Sequence, residues 1–331
     1  MKKLLFILIL PVFIVLSSNE AVNANESSSD LYHNLVTDTF PAVEKEGFTN
    51  FFNEYFLSTH TPHHNGYDQI YNAEDSQIIE GKFQYGDIRK DLEEEWVSIY
   101  LWSFSEDTPS WEKIGRQKTD TDGRISFPMN EEKKLGKGLH LIRLHVEGDS
   151  TFTNMYIQVI NRNERFVVFD IDGTLTTNDF ESFKEYADEY FFEAYRADMY
   201  EAANRVVEHY DSEGYNIIYL TARPYWLSST SQKWLIDHDF PFGSLHTYSG
   251  SFPAEDAATY KAEYLSKVIN AGGIIDFAYG NALTDIEAYK RIGLSQNQVF
   301  IIGENAGVNG TTTVDNYVDH VEALNNVPIS F

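Results

Sequence analysis

The spacing of apolar residues changes character along the chain. Near the start, Leu4 through Leu16 is an apolar run broken only by Pro11. In "GFTNFFNEYFL", Phe48, Phe51, Phe52, Tyr55 and Phe56 recur at helical spacing. This predicts a short helix whose aromatic face turns to the core, the alternative being a face that touches a membrane. From about Ile78 to Ile160 the period falls to two. "EWVSIYLW" sets Val97, Ile99 and Leu101 against Trp96, Ser98, Tyr100 and Trp102, and "GLHLIRLHVEG" sets Ile142, Leu144 and Val146 against Leu141, Arg143 and His145. Short strands at regular spacing predict an immunoglobulin-like β-sandwich. "DTDG" at Asp120 to Gly123 lacks the remaining ligands of a calcium loop and reads as a hairpin turn.

From Arg165 onward strands and helices alternate. "RFVVFDI" is a buried strand. Phe183, Tyr186, Ala187, Tyr190, Phe191 and Ala194 trace one helix face, and Ala203, Val206, Val207 and Tyr210 continue an apolar stripe. Strand "YNIIYLTAR", a helix near Ser229 to Asp237, a helix near Glu255 to Asn270, strand "IIDFAYGN", helix "DIEAYKRIG" and strand "QVFIIGE" follow. That order predicts an α/β, Rossmann-like parallel sheet with helices on both faces. The expected organisation is a signal peptide over 1–24, a linker with an N-terminal helical segment over 25–75, the β-sandwich over 76–161 and the α/β domain over 162–331.

The N-terminal run belongs to that organisation as an export signal. Lys2 and Lys3 supply its positive end, and Val22-Asn23-Ala24 offers a cleavage site near Ala24. The run is short for a membrane span, which needs about 20 residues, so no transmembrane segment is expected in the mature chain. The formal charge of −26 argues against nucleic acid as a partner, because phosphates would repel such a surface. With no cysteine, thiolate catalysis, disulfides and zinc–thiolate sites are excluded.

The chemistry concentrates at strand ends. Asp170 and Asp172 close the first α/β strand, Thr221 the next, and Asn281 with Asp285 a third. In open parallel sheets ligands bind at the carboxyl ends of strands, so these residues are expected to converge. All-oxygen ligands suit Mg²⁺, and an anionic cluster with Mg²⁺ suits a phosphate group. One carboxylate can then attack phosphorus and a second can move the proton.

"DIDGTLT", "YLTAR", "YKAEYL" and "GNALTDIEAYKRIG" resemble the four motifs of the haloacid dehalogenase superfamily of phosphatases. Within it the chain is similar to lipin-type phosphatidate phosphatases and to the related C-terminal domain of membrane-associated phosphatidylinositol transfer proteins, over roughly Arg165 to Gly303. The resemblance implies Asp170 as nucleophile and metal ligand, and Asp172 as acid/base that meets the metal through its backbone. It implies Thr221 and Lys261 on phosphoryl oxygens, and Asn281 and Asp285 completing the Mg²⁺ site directly or through water. Gly173, Thr174, Ala222 and Arg223 are expected around the substrate. The spans between Asp172 and Thr221 and between Arg223 and Lys261 are filled by helices the sheet needs, so no large cap is expected.

An open site favours a bulky or interface-held substrate. Arg223, Tyr225 and Trp226 either border its entrance or pack. His60, His63, His64 and Asp68 in "STHTPHHNGYD" either hold a transition metal, contribute to the entrance, or are structural. The reading is an exported Mg²⁺-dependent phosphomonoesterase acting through an aspartyl-phosphate on phosphatidate or a related phospholipid. The alternatives are a phosphatase of small soluble phosphomonoesters and a lipid-binding module without turnover. No oligomeric state is expected from the sequence.

Overall fold

The computed structural model describes residues 40–103, 110–177, 197–250 and 256–326. The expected leader, the polar stretch Glu26 to Asp30 and the stripe from Phe183 to Ala194 lie outside them. After helix α1 (Phe51–Leu57) the chain lays down β1 (Asn65–Gly66), β2 (Gln69–Asn72), β3 (Ile78–Lys82), β4 (Gln84–Tyr85), β5 (Lys90–Asp91), β6 (Trp96–Ser103), β7 (Ser110–Lys118), β8 (Arg124–Pro128), β9 (Gly138–Val146) and β10 (Phe152–Ile160). A five-stranded sheet in the order β2-β10-β9-β6-β7 faces a three-stranded sheet β1-β3-β8. Ile79, Val97, Ile99, Ile125, Ile142, Leu144 and Ile157 fill the space between them.

Residues 65–72, expected in the linker and helical segment, supply β1 and β2 and so belong to this sandwich. β1 and β2 are too short to show a period, which is why the sequence pattern starts later. The "DTDG" turn is tight, with Gly123 at φ +64 and its N–H donating to the Asp120 carbonyl at 3.0 Å. It is not a hairpin, because β7 pairs with β6 and β8 with β3. It carries the chain from one sheet to the other.

The expected core-facing aromatic helix is also corrected. In α1 the buried positions are Asn53 and Leu57, while Phe51, Phe52, Tyr55 and Phe56 are exposed. Seven residues bury one narrow stripe, and Asn53 takes it because its amide donates to the Glu93 carbonyl and to Glu95.

The second domain is built on β11 (Arg165–Phe169), β12 (Asn216–Pro224), β13 (Ser244–Tyr248), β14 (Ile274–Gly280), β15 (Val299–Ile302) and β16 (Thr312–Val314). They form one sheet in the order β13-β12-β11-β14-β15-β16, every pairing parallel. β11 is apolar because it is covered on both faces. Helices α2 (Ala203–Ser212), α3 (Ser228–Asp237) and α6 (Tyr317–Asn325) cover one face through Val206, Tyr210, Trp234 and Val321. Helices α4 (Ala257–Asn270) and α5 (Leu283–Arg291) cover the other through Leu265, Val268 and Tyr289. Between Arg223 and Lys261 the described residues hold only α3, β13, their connections and the start of α4. Among the described residues no helix is long and apolar enough to cross a membrane.

Side chains join the two domains. The buried Asp68 carboxylate accepts one N–H from Tyr156 of β10 at 2.8 Å and one from Leu245 of β13 at 3.0 Å. Asn72 donates to the Ala271 carbonyl, and Tyr225 donates to Gln84 at 2.9 Å.

Candidate active site

The chain leaves β11, adds β12 and β13 on one side, then returns to place β14 on the other. The crevice therefore opens at the carboxyl end of β11, where the order reverses. Asp170 and Asp172 sit on the turn after β11, Thr221 and Arg223 on β12, and Asn281 directly after β14. Gly173 takes φ +70, which a side chain would strain, and so folds the turn back beneath Asp170. Lys261 comes from the second turn of α4, whose start is capped by Asp256. Asp285 lies in the first turn of α5. Gly280 admits it: a Cβ there would stand 2.6 Å from the Asp285 side chain.

Two ion-paired groups result, both buried. In the first, the Lys261 ammonium lies 2.6 Å from Asp170 Oδ1 and 2.6 Å from Asp285 Oδ1. The other Asp285 oxygen accepts the N–H groups of Asn281 and Ala282, each at 3.1 Å. In the second, Asp172 accepts from Arg223 Nε at 2.9 and 3.0 Å and from Arg223 Nη2 at 2.6 Å. Arg223 Nη1 donates to Ser231 Oγ at 2.9 Å. The Thr221 hydroxyl donates to Asp172 Oδ2 at 3.1 Å and accepts the Arg223 N–H.

Burial pushes the Asp170 carboxyl up to about 8, Lys261 opposing the rise and Asp285 and Asp172 adding to it. Burial also works against the Lys261 ammonium, but Asp170 and Asp285 outweigh it and raise its pKa. The lysine therefore stays charged and holds two acids together.

The Thr174 hydroxyl donates to Asp170 Oδ2 at 2.8 Å and lies 3.3 Å from Asn281 Oδ1. Those two oxygens thus meet on the Thr174 hydroxyl, and as hard oxygen donors they would suit a small hard cation completed by water and phosphate oxygens. Asp172 and Asp285 do not join it by side chain, since their oxygens are taken by Arg223 and Thr221 and by Lys261 and two backbone N–H groups. Among the described residues no three acidic or histidine side chains form a bare cluster.

Other expected substrate contacts have a different use here. Gly173 N–H donates to Thr176 Oγ1 at 3.1 Å, and Thr174 orders Asp170. Ala222 is half-buried beside Thr221. Arg223 is fully buried on Asp172 and does not border an entrance. Tyr225 is buried against Gln84 of the sandwich, so it is a domain contact, whereas Trp226 is half-buried.

The histidine segment disperses. His64 is half-buried, packs on Phe83 and Tyr85, bonds Thr151 at 2.8 Å, and is pushed down to about 3 by desolvation. Asp68 joins the domains, and His60 lies against Gly86. Sequence reasoning missed Ser231, Asn305 and Tyr317. Asn305 donates to the Asn281 carbonyl at 2.8 Å and Tyr317 to the Thr174 carbonyl at 2.9 Å. None belongs to a motif, and Tyr317 acts from the last described helix, 143 positions from Thr174.

The fold and site define an α/β domain with a six-stranded parallel sheet, its acidic residues gathered at the strand ends, joined to a β-sandwich. Residues 167–303 match the family described as PITM 1-3, LNS2 domain, and residues 62–159 the family described as PITM 1-3, beta-sandwich domain. Human membrane-associated phosphatidylinositol transfer protein 2 is 30% identical over 245 residues, 73% of this chain and 17% of that protein. The Drosophila melanogaster protein retinal degeneration B is 28% identical over 268 residues, 79% of this chain and 20% of that protein. The chain is related to these proteins through this pair of domains, and its match spans a fifth of their length or less. A crystal structure of phosphoserine phosphatase from T. onnurineus aligns with 50% of this chain and 96% of that chain at 14% identity and TM-score 0.36, too low to add to the fold read from the sheet.

Proposed function

We propose that the chain is an exported, Mg²⁺-dependent phosphomonoesterase whose substrate is a phospholipid phosphate such as phosphatidate, as in lipin-type enzymes. One observation carries this reading: the paired acids Asp170 and Asp172 stand on one strand-end turn, each already bound to its own buried cation. Asp170 is placed to attack phosphorus, forming an aspartyl-phosphate as the ester P–O bond breaks. Asp172 gives its proton to the departing alkoxide, then takes one from the water that attacks the phosphoenzyme and frees Asp170. Arg223 and Thr221 fix the orientation of Asp172. Lys261 orients Asp170 and offers a positive charge to phosphoryl oxygens. Mg²⁺ held by Asp170 and Asn281 would neutralise phosphate charge. Export rests on the leader over 1–24, with cleavage near Ala24.

A second reading is a phospholipid-binding module without turnover. It is favoured by the hold of Arg223 and Thr221 on Asp172, which occupies both carboxylate oxygens, and by relatives named as transfer proteins. Phosphate release separates the two. Phosphatidate in neutral mixed micelles, glycerol phosphate and a chromogenic monoester are compared with Mg²⁺ and with EDTA, using the chain and Asp170→Asn. The proposal expects release from phosphatidate above glycerol phosphate, lost with EDTA and lost by ~10⁴-fold or more in the variant. Faster cleavage of glycerol phosphate under every presentation installs the small-substrate alternative. Phosphatidate binding with no release of phosphate installs the binding module.

A further inference from the structure

The rings of α1 are the largest departure from ordinary burial in the described molecule. Phe51, Phe52, Tyr55 and Phe56 are 75%, 67%, 69% and 55% exposed. Phe51 stacks on Tyr55 and Phe52 on Phe56, while Tyr55 meets Phe56 edge to face, so the four form one raised ridge. The helix beneath is firmly tied down. Leu57 enters the sandwich core, and Asn53 donates to buried Glu95 at 2.8 Å. The same carboxylate accepts the N–H groups of Thr49 and Asn50. Exposure of the rings is therefore a property of an anchored element and not of a fraying end.

A second apolar projection stands next to it. Ile88, in the turn between β4 and β5, is 87% exposed. The His60 ring, just after α1, lies against Gly86 of that turn. This edge also meets the α/β domain. Gln84 donates to the Arg89 carbonyl at 3.0 Å and accepts from Tyr225, which follows Arg223 by two positions.

We propose that α1 and the Ile88 turn dock the protein on a neutral, zwitterionic phospholipid surface, with the rings at the boundary between headgroups and acyl chains. A convex ridge of stacked Phe and Tyr suits a fluid interface, where rings are buried without a matching groove and the Tyr hydroxyl stays wet. The surrounding charge selects the kind of lipid. Glu44, Glu46, Glu54, Asp87 and Glu94 outnumber the exposed Lys45 around the ridge, and Lys90 is paired with Glu93. An anionic surface would be repelled and a neutral one would not. Docking does not depend on turnover at Asp170.

The test uses the full chain with phosphatidylcholine vesicles. Co-sedimentation is compared between the chain and a variant carrying Phe51→Ser, Phe52→Ser, Tyr55→Ser and Phe56→Ser. All four positions are exposed, so the variant is expected to fold, and its circular dichroism melt checks this. Separately, Phe52→Trp is read against vesicles of brominated phosphatidylcholine. The proposal expects at least a tenfold loss of vesicle binding in the serine variant, and quenching of the introduced indole beyond that of the five native ones. Equal co-sedimentation of chain and variant overturns it. So does binding confined to vesicles rich in phosphatidylserine. A concentration-dependent dimer without vesicle binding assigns the ridge to a second copy. A blue-shifted signal from the introduced indole that bromolipid leaves unquenched assigns the ridge to residues 1–39 folding back.

Discussion

Two groups of polar residues invite the same question, and the molecule treats them in opposite ways. Asp170, Asp172, Thr221, Lys261, Asn281 and Asp285 come from widely separated segments and meet within hydrogen-bond distance of one another's partners. His60, His63, His64 and Asp68 are near neighbours in sequence and part company: one ring lies in the sandwich core, one over a turn, and the carboxylate between the domains. Closeness along the chain is therefore poor evidence of a site. Parallel strands direct their carboxyl ends to one edge, so residues at those ends converge whatever their separation. Nothing comparable gathers a turn-rich stretch whose residues point to different elements.

The comparison is sharpened first at Arg223, which the sequence left between an entrance and the packing and which the structure places on Asp172. A guanidinium that holds a carboxylate with two nitrogens and Ser231 with a third cannot be replaced by an ammonium. Arg223→Lys keeps the charge and loses the fork. In the phosphatase proposed here, the expected result is a fall in kcat of roughly a hundredfold with a much smaller change in KM, because Asp172 moves a proton only in the reaction. A rise in KM alone would show that Arg223 meets the substrate and not the acid/base.

A smaller effect is expected at Asp68, the member of the scattered group with the clearest structural task. Its largest influence is burial, which pushes it up to about 7 against the two backbone N–H bonds. The folded state thus favours the protonated carboxyl relative to the unfolded chain. The resulting stability is fully present below about pH 4 and is lost as pH rises through about 7, on the order of a few kcal/mol. Asp68→Asn does not titrate and gives up one of the two N–H bonds, so the wild type should lead it at pH 5. That lead should narrow by pH 8, as read from urea midpoints of both proteins. A lead that widens with pH would mean that Asp68 is held ionised across the interface.

Legibility follows the same physical division. The strands of the α/β domain were readable because burial on both faces demands apolar runs, and the motif residues because each stands at the end of one. β13 and β16 escaped notice: "SLHTY" and "TTV" are short strands at the outer margins of the sheet and carry few buried apolar positions. The sandwich was readable as alternation, yet Tyr100, Arg143 and His145, expected on its open face, are buried. Phe40 covers them, packing on Tyr100 and Trp111 with Arg143 over its ring. Period two distinguishes faces and does not say whether a second face is covered. Aromatic spacing likewise located α1 and misjudged its direction, because a helix this short is oriented by Asn53 and Leu57 and not by its most apolar side.

The smallest expected effect belongs to His60 and His63, and its smallness decides whether the scattered group hides a metal site. A transition-metal site needs several nitrogens or carboxylates aimed at one point. His64, which any such site would borrow, is committed to Thr151 and the rings of Phe83 and Tyr85. Asp68 is committed to two backbone donors. His60 packs on Gly86, and the His63 backbone N–H donates to the Gln84 carbonyl, a bond that an alanine keeps. The double variant His60→Ala, His63→Ala should change stability by less than about 1 kcal/mol, as surface substitutions usually do. It should give the same Zn²⁺ and Ni²⁺ titration traces as the wild type and the same rate of phosphate release. A stoichiometric metal signal that disappears in the double variant would show that the segment gathers when a metal is present, and the contrast with the strand-end site would fail.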